Sequence, residues 1–175
     1  KVTRNSHTND YCVTATNFML RNHPFNYYLN DTSTVGNVYT SESGDDNHSG
    51  TVSNAPMLTL DALQQRYELL EGDTIYIDTG FYPLGSGAVV NVSSVHRGTA
   101  QQPVRFVGNT NAFVTRFVGT LTNASARINM AGSYMMVEAV SFSNVHVSIA
   151  SGSIATNIIL ENANLLAANN AHRVA

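Results

Sequence analysis

The stretch GDDNHSGTVSNAPMLTLDALQQRYELLEGDTIYIDTGFY, residues 44–82, decides the fold class predicted for this chain. Its opening, residues 44–56, is rich in Gly, Asp, Asn and Ser and therefore predicts a loop. Apolar residues at helical spacing follow and predict a helix at about Leu58–Leu70. The segment TIYID, residues 74–78, then alternates like a buried strand. The stretch thus predicts a loop, a short amphipathic helix and a strand in succession.

The ends of the predicted helix carry recognisable capping residues. Thr59 is the expected N-cap, and Asp61 in the first turn complements the positive end of the helix dipole. Gly72 is placed for a left-handed C-cap. The apolar face of this helix consists of Leu60, Leu63, Tyr67 and Leu70.

Short apolar segments separated by turns rich in Asn, Ser and Gly surround this stretch on both sides. A short strand is predicted at residues 27–32 before it. After TIYID, strands are predicted at 88–92, 104–108, 113–119, 126–130, 134–142, 145–150 and 156–167. Many short strands are compatible with a sandwich, a barrel or a parallel β-helix.

An internal repeat favours the parallel β-helix among these architectures. Residues 136–142 align with residues 159–165 at an offset of about 23 residues, which places Glu138 on Glu161. A repeat of this length is what one coil of a solenoid requires. The sequence therefore predicts an all-β, right-handed parallel β-helix (a solenoid) with one short N-terminal capping helix at 58–70 and coils at about 74–175.

The opening residues of the deciding stretch also resemble a known family. The pattern G-x-D-x-N-x-G, then Pro, then T-[IL] leading into a short helix, then G-D-T-I-Y-[VI]-x-x-G-x-Y resembles the start of secreted right-handed β-helix proteins of the pectin-lyase-like superfamily. The matching residues are Gly44, Asp46, Gly50, Pro56, Thr59, Leu60, Gly72, Asp73, Thr74, Ile75, Tyr76, Gly80 and Tyr82, whereas Asn47 is shifted and His48 departs from the pattern. The resemblance implies a secreted β-helix and does not fix an activity.

The two ends of the chain suggest surfaces for association. Residues 1–26 read as an extended N-terminal arm before a β-helix domain at 27–175, with strand-like alternation around the single cysteine, Cys12. Residues 162–175 lack an amphipathic closing helix, although solenoids need polar caps. We therefore expect self-association through the arm and an open C-terminal coil, and head-to-tail contacts would give rings or filaments.

Composition argues against several functional classes. The net charge is −3 with one lysine, which disfavours nucleic acid, and no apolar run reaches the length of a membrane helix. After Asp78 the acids are Glu138 and Glu161 alone, so no catalytic carboxylate cluster is expected in the coils. A dyad of these two glutamates on adjacent coils is the remaining acid–base alternative. His96, His146 and His172 lack a regular metal-ligand spacing.

Two kinds of modification or ligand site are compatible with the residue types. Asp45, Asp46 and Asn47 supply oxygen ligands in one loop and are a calcium candidate, with an Asx turn as the alternative. No other cofactor is expected. Four triplets match the N-glycosylation pattern, at Asn30, Asn47, Asn91 and Asn123.

These features lead to three hypotheses of function. The first is a secreted or cell-surface structural protein that is not an enzyme and self-associates in an extracellular filament or surface layer. The alternative is the N-terminal fragment of a polysaccharide lyase or epimerase. The third is a carbohydrate-binding module that would use tyrosines as stacking platforms for a polysaccharide, the candidates being Tyr27, Tyr28, Tyr39 and Tyr82.

Overall fold

A computed structural model describes residues 24–110, 114–119 and 126–161, together with the backbone of residues 165–167 and 172–173. Within these ranges the chain forms short strands and one helix. The elements, in chain order, are β1 (Asn26–Leu29), α1 (Leu60–Arg66), β2 (Thr74–Ile77), β3 (Gly80–Leu84), β4 (Val89–Val92), β5 (Val104–Val107), β6 (Thr115–Gly119), β7 (Ala126–Met130), β8 (Met135–Glu138), β9 (Ser141–Ser143), β10 (Val145–Ile149), β11 (Ile154–Thr156), β12 (Ile159–Glu161), β13 (Leu165–Ala167) and β14 (His172–Arg173).

The strands form three sheets in which every described pairing is parallel. Sheet A has the order β1-β2-β5-β8-β11-β14, sheet B has β3-β6-β9-β12, and sheet C has β4-β7-β10-β13. From β2 onward the chain enters sheets A, B and C in strict rotation. The predicted all-β class with one helix is therefore confirmed, and its sheets are parallel.

The core lies on the inner faces of the three sheets. Strand β7 shows the period of two clearly, because Ala126, Ile128 and Met130 are buried while the residues between them are exposed. On sheet B an aromatic column runs through three strands in register. Its ring centroids are 5.2 Å apart between Tyr82 and Phe117, and 5.9 Å apart between Phe117 and Phe142. Each such buried aromatic side chain contributes roughly 2–3 kcal/mol of apolar transfer free energy.

Helix α1 begins where the sequence predicts but is shorter. Thr59 is the N-cap, since its hydroxyl accepts a hydrogen bond from the backbone N–H of Ala62. The helix ends at Arg66 rather than Leu70, because the N–H of Leu69 donates to the imidazole of His96 and that of Leu70 to the carboxylate of Asp73.

These side-chain acceptors replace the carbonyls that would continue the helix. Gly72 has a positive φ of 82°, but it lies in the turn before β2. Its predicted role as the helix C-cap was therefore wrong.

The predicted 23-residue repeat was also wrong. Strand β8 pairs with β11 so that Met136 lies beside Ile154, an offset of 18 residues. The segments 134–142 and 156–167 were each predicted as one strand, yet each bends at a residue in the left-handed region, Ala139 (φ 56°) and Asn157 (φ 50°). The bend sends the chain from sheet A into sheet B, which splits each predicted strand.

Most of the predicted arm, residues 1–23, lies outside the described residues, as does Cys12. The last residues of the arm belong to the ordered fold, because Asn26 begins β1 and the N–H of Phe25 donates to the Asp73 carboxylate. In the part of the chain that the structure describes, no helix is long and apolar enough to cross a membrane.

Candidate functional site

The first strand of sheet A has its outer edge covered by a loop. The N–H of Tyr28 donates to the carbonyl of Gly50 at 2.7 Å, and the N–H of Met57 donates to the carbonyl of Tyr28 at 3.0 Å. The N–H of Asn30 donates to the carbonyl of Met57 at 2.9 Å. The backbone groups that would otherwise recruit another strand are therefore already paired.

The corresponding edges of the other two sheets are closed by different means. On sheet B, the Asp31 carboxylate accepts from the N–H of Phe81 at 2.9 Å. On sheet C, helix α1 packs against β4 and buries Leu60 and Leu63. We call this set of contacts, made by residues 50–57, Asp31 and α1, the front cap.

Buried aspartates hold the loops around the front cap. Asp78 is fully buried, and its carboxylate accepts five hydrogen bonds of 2.7–2.9 Å. The donors are the backbone N–H groups of Val38, Tyr39, Thr40 and Thr79 and the hydroxyl of Thr40. Asp73 is also fully buried and accepts from the N–H groups of Phe25 and Leu70. These carboxylates act as structural acceptors for the chain's own donors, which offsets the cost of burying their charge.

The calcium candidates lie together in the loop, but their carboxylates have other partners. One oxygen of Asp45 accepts from both the backbone N–H and the side-chain amide of Asn47, each at 2.8 Å. These hydrogen bonds, the backbone one first, lower the pKa of Asp45. Asp46 accepts from the N–H groups of Leu58 and Thr59 and from the Thr59 hydroxyl.

The loop therefore has the Asx-turn geometry that was the alternative to a metal site. Among the described residues, no group of three or more His, Cys, Asp or Glu side chains could hold a metal ion. Calcium binding by Asp45, Asp46 and Asn47 stays a prediction.

The two glutamates of the predicted dyad do not meet. Glu138 lies on sheet A beside Thr156, and Glu161 lies on sheet B beside Ser143. Each pairs with an arginine instead: Glu138 with Arg105 at 2.9 Å, and Glu161 with Arg116. The observed register places the two glutamates on different sheets and so excludes the acid–base pair. The 23-residue repeat had predicted the wrong register.

The predicted stacking tyrosines divide into buried and surface residues. Tyr27 and Tyr82 are 1% and 4% exposed, so neither can stack on a ligand, and for them the prediction was wrong. Tyr28 and Tyr39 are partly exposed on the outer side of sheet A. There they contact Tyr76, with ring centroids 5.6 Å and 4.8 Å from it respectively. We call Tyr28, Tyr39 and Tyr76 the tyrosine cluster.

An ion pair borders the tyrosine cluster. Arg105 and Glu138 stand on the next strands of the same outer face, and the Tyr39 hydroxyl donates to the carbonyl of Gly108 at 3.1 Å. Burial raises the pKa of Tyr39, and the charges of Asp78 and Glu138 add to this shift while Arg105 opposes it. The phenol therefore stays neutral at ordinary pH and can act as a hydrogen-bonding group.

A cleft missed by the sequence analysis lies beside the front cap. Two adjoining cavities of about 420 and 390 Å³ share Asp31 and Phe81, and the Phe81 side chain is 63% exposed between them. The larger cavity extends over Leu84 and the start of α1, and the smaller over Arg116. Phe81 alternates with the buried Tyr82 along β3, which indicates an outward-facing strand residue.

The histidines are far apart in the topology. His96 is buried beneath the end of α1, where its Nδ1 accepts from the N–H of Leu69 at 3.0 Å. Burial lowers the pKa of His96, although the charge of Glu68 opposes the shift. His146 lies on the outer face of sheet C, and the His172 side chain is outside the described residues.

The four glycosylation triplets differ in accessibility. Asn30 is fully buried, and its amide donates to the carbonyls of Ser33 and Glu42, so the folded chain does not expose it for modification. Asn47 and Asn91 are exposed. Asn123 lies outside the described residues.

Comparison of the chain with protein-family profiles, with curated proteins and with solved structures finds no match.

Proposed function

We propose that the chain is a capped, right-handed parallel β-helix module of the kind found in secreted pectin-lyase-like proteins. Three observations support the architecture: all described pairings are parallel, successive strands rotate through three sheets, and equivalent corners recur at Ala139 and Asn157. Right-handedness follows from the strong preference of parallel crossover connections. The opening of residues 44–82 provides the family resemblance, and its residues Asp46 and Asp73 have cap roles here.

Within this architecture we assign the chain a structural role in an extracellular or cell-surface assembly, without enzymatic activity. The observation that carries this proposal is the front cap, where loop, carboxylate and helix close one edge of all three sheets. Five aspartates around it serve as acceptors for the chain's own N–H groups.

The closed front edges also bear on the type of assembly. A filament of stacked β-helices needs two complementary edges, and the front cap has already satisfied one of them. Self-association through the arm (residues 1–26), with the same segment used by both copies, would then join like ends. We therefore propose a closed oligomer, most simply a dimer, in preference to the filament expected from the sequence.

Light scattering of the purified chain, with negative-stain imaging, tests this proposal. The expected result is a discrete species of about twice the 18.9 kDa chain mass, which a variant lacking residues 1–23 does not form. This deletion leaves β1 intact, so loss of the dimer would report on the arm. A monomer at all concentrations, or filaments longer than a few subunits, would contradict the proposal.

A second candidate function is carbohydrate binding at the tyrosine cluster. The specific observation is that Tyr28 and Tyr76 stand in register on neighbouring strands with partly exposed rings, beside the charged pair Arg105 and Glu138. Aromatic rings next to polar groups are suited to stacking and hydrogen bonding of sugars. Retention on a panel of neutral glycans that is lost in Tyr76→Ala would support this function, and unchanged retention would refute it.

The lyase or epimerase alternative receives no support from the described residues. Beyond Asp78, the acids are Glu138 and Glu161, and each forms an ion pair on a different sheet. An acid–base mechanism needs groups that converge on one substrate atom.

A further inference from the structure

The two adjoining cavities over Phe81, which we call the Phe81 cleft, form an apolar surface with an acidic rim. The larger cavity, of about 420 Å³, falls in the range of about 300–1,000 Å³ that is typical of binding pockets. Phe81 is 63% exposed there, and Leu84 lines the same cavity. Its charged lining residues are Asp31 and Asp61, and no basic side chain is among the described residues that line it. The larger cavity is therefore suited to an apolar segment that carries a positive charge.

The two carboxylates of this rim are held in place by neutral donors. Asp31 accepts from the backbone N–H groups of Ser33 and Phe81. Asp61, in the first turn of α1, accepts from two glutamine amides of the same helix. Because these donors carry no charge, the hydrogen bonds orient the carboxylates without compensating their negative charge.

A segment of the N-terminal arm has the chemistry that this cleft requires. Phe18, Met19 and Leu20 are consecutive apolar residues, and Arg21 follows them directly. Residues 1–23 as a whole contain three of the chain's nine basic residues and one of its twelve acids, so the arm is positively charged while the rest of the chain is negatively charged. Segment 18–21 therefore complements the cleft both in apolar character and in charge.

The path of the chain keeps this segment away from the cleft of its own copy. Pro24 lies against Gly72 before the start of β1, whereas Asp31, at the edge of the cleft, follows the other end of that strand. The extended chain from Pro24 to Asp31 covers roughly 20 Å, at about 3.3 Å per residue. The chain from Leu20 to Pro24 spans at most about 14 Å. Leu20 therefore falls short of its own cleft, and docking of the segment needs the cleft of a second copy.

We infer that segment 18–21 of each copy docks in the Phe81 cleft of the other copy. The inference rests on the arm-mediated dimer proposed above and assigns the surface that receives the arm. The three apolar side chains of the segment pack on Phe81 and the apolar lining, and Arg21 lies against the acidic rim. Two arms and two clefts are exchanged symmetrically, which closes the dimer and leaves no free cleft for a third copy.

The dissociation constant of the dimer, measured by light scattering of the full chain over a range of concentrations, tests the inference with matched variants. Phe81→Ser removes the exposed apolar ring from the cleft and should weaken the dimer about tenfold. Val95→Ser is the control, because Val95 is similarly exposed, at 53%, but lines neither cavity, and affinity should stay within about twofold of wild type. Arg21→Asp and Asp61→Arg should each weaken the dimer severalfold, whereas the two together restore a pair of opposite charges and should recover affinity.

Mixed cysteine variants locate the contact between the copies. In a Cys12→Ser background, a chain with Leu20→Cys is mixed with a chain with Gly85→Cys. Gly85 lines the larger cavity and has open space around it, so the substitution is tolerated. Mild oxidation should give a disulfide-linked heterodimer, whereas Val95→Cys in place of Gly85→Cys should give none.

The outcomes distinguish this docking site from the dimer on which it rests. A wild-type dimer that Phe81→Ser leaves intact, or that gives no cross-link between positions 20 and 85, overturns the inference and leaves the arm-mediated dimer standing. Equal loss of affinity in Phe81→Ser and Val95→Ser overturns it as well. A wild-type chain that is monomeric at all concentrations overturns both the docking site and the dimer.

Discussion

Replacement of Asp78 by Asn should destabilise the protein more than any other single charge removal in the front region. The Asp78 carboxylate takes two donors on one oxygen and three on the other. An asparagine places an amide N–H₂ against at least two of these donors, so at least two charge-assisted hydrogen bonds are lost. At about 1.5–3 kcal/mol each, the expected loss is about 3–6 kcal/mol, against about 5–15 kcal/mol for a whole domain.

The assay is urea unfolding followed by tyrosine fluorescence, because the chain has eight tyrosines and no tryptophan. With a slope of roughly 2–3 kcal/mol per molar urea, the midpoint of Asp78→Asn should fall by about 1–3 M. Asp45→Asn is the matched control, since it removes the same charge from an exposed Asx turn and should leave the midpoint close to wild type. An Asp78→Asn midpoint within about 0.3 M of wild type would refute the structural role of this carboxylate.

Three further predictions concern the core and the cap. Burial lowers the pKa of His96 below that of an unfolded histidine, which is about 6.5. The contribution of the neutral imidazole to the free energy of unfolding should therefore be fully present above that pH and decline as the pH falls below it. Urea midpoints at pH 7.5 and 5.0 should show this decline, and His96→Asn should reduce it; an equal decline in the variant would assign the effect to other groups. Phe117→Ala empties the centre of the aromatic column and should cost about 3–5 kcal/mol in urea unfolding, and a cost below about 1 kcal/mol would contradict the stack. Gly108→Ala forces a Cβ against the carbonyl of Ala139 and should lower the thermal midpoint by several degrees. Gly85→Ala, with open space around it, should leave the midpoint unchanged, and equal midpoints for the two variants would contradict the close approach of Gly108 to Ala139.

Local patterns predicted the start of the fold well because its capping chemistry is short-range. The hydroxyl of Thr59 reaches an N–H three residues away, so the N-terminus of α1 could be predicted from sequence alone. The C-terminus could not, since it depends on His96, 27 residues beyond Leu69. The alternation of apolar residues likewise predicted strands such as β7, whose inward and outward positions are clear.

The register between paired strands could not be predicted from the sequence pattern. Strand β2 pairs with β5 at an offset of 31 residues, whereas β8 pairs with β11 at 18, so the loops between paired strands obscure any fixed period. The sequence pattern also did not predict the corner at Ala139, because a positive φ is unusual for alanine.

The candidate surfaces were predicted only in part for the same reason. Tyr27 and Tyr28 are adjacent in sequence, and which of them faces the core depends on the register of β1 against β2. Residue types alone therefore suggested glycan contacts without locating their faces.

The register between the parallel strands is the central claim, and paired cysteines test it most directly. In a Cys12→Ser background, Glu138→Cys with Thr156→Cys places thiols on adjacent in-register residues of β8 and β11, within the distance that a disulfide spans. Glu138→Cys with Glu161→Cys instead joins positions on different sheets. Peptide mapping after mild oxidation should show an intrachain disulfide in the first variant and none in the second. A disulfide in the second variant but not in the first would contradict the three-sheet parallel stack.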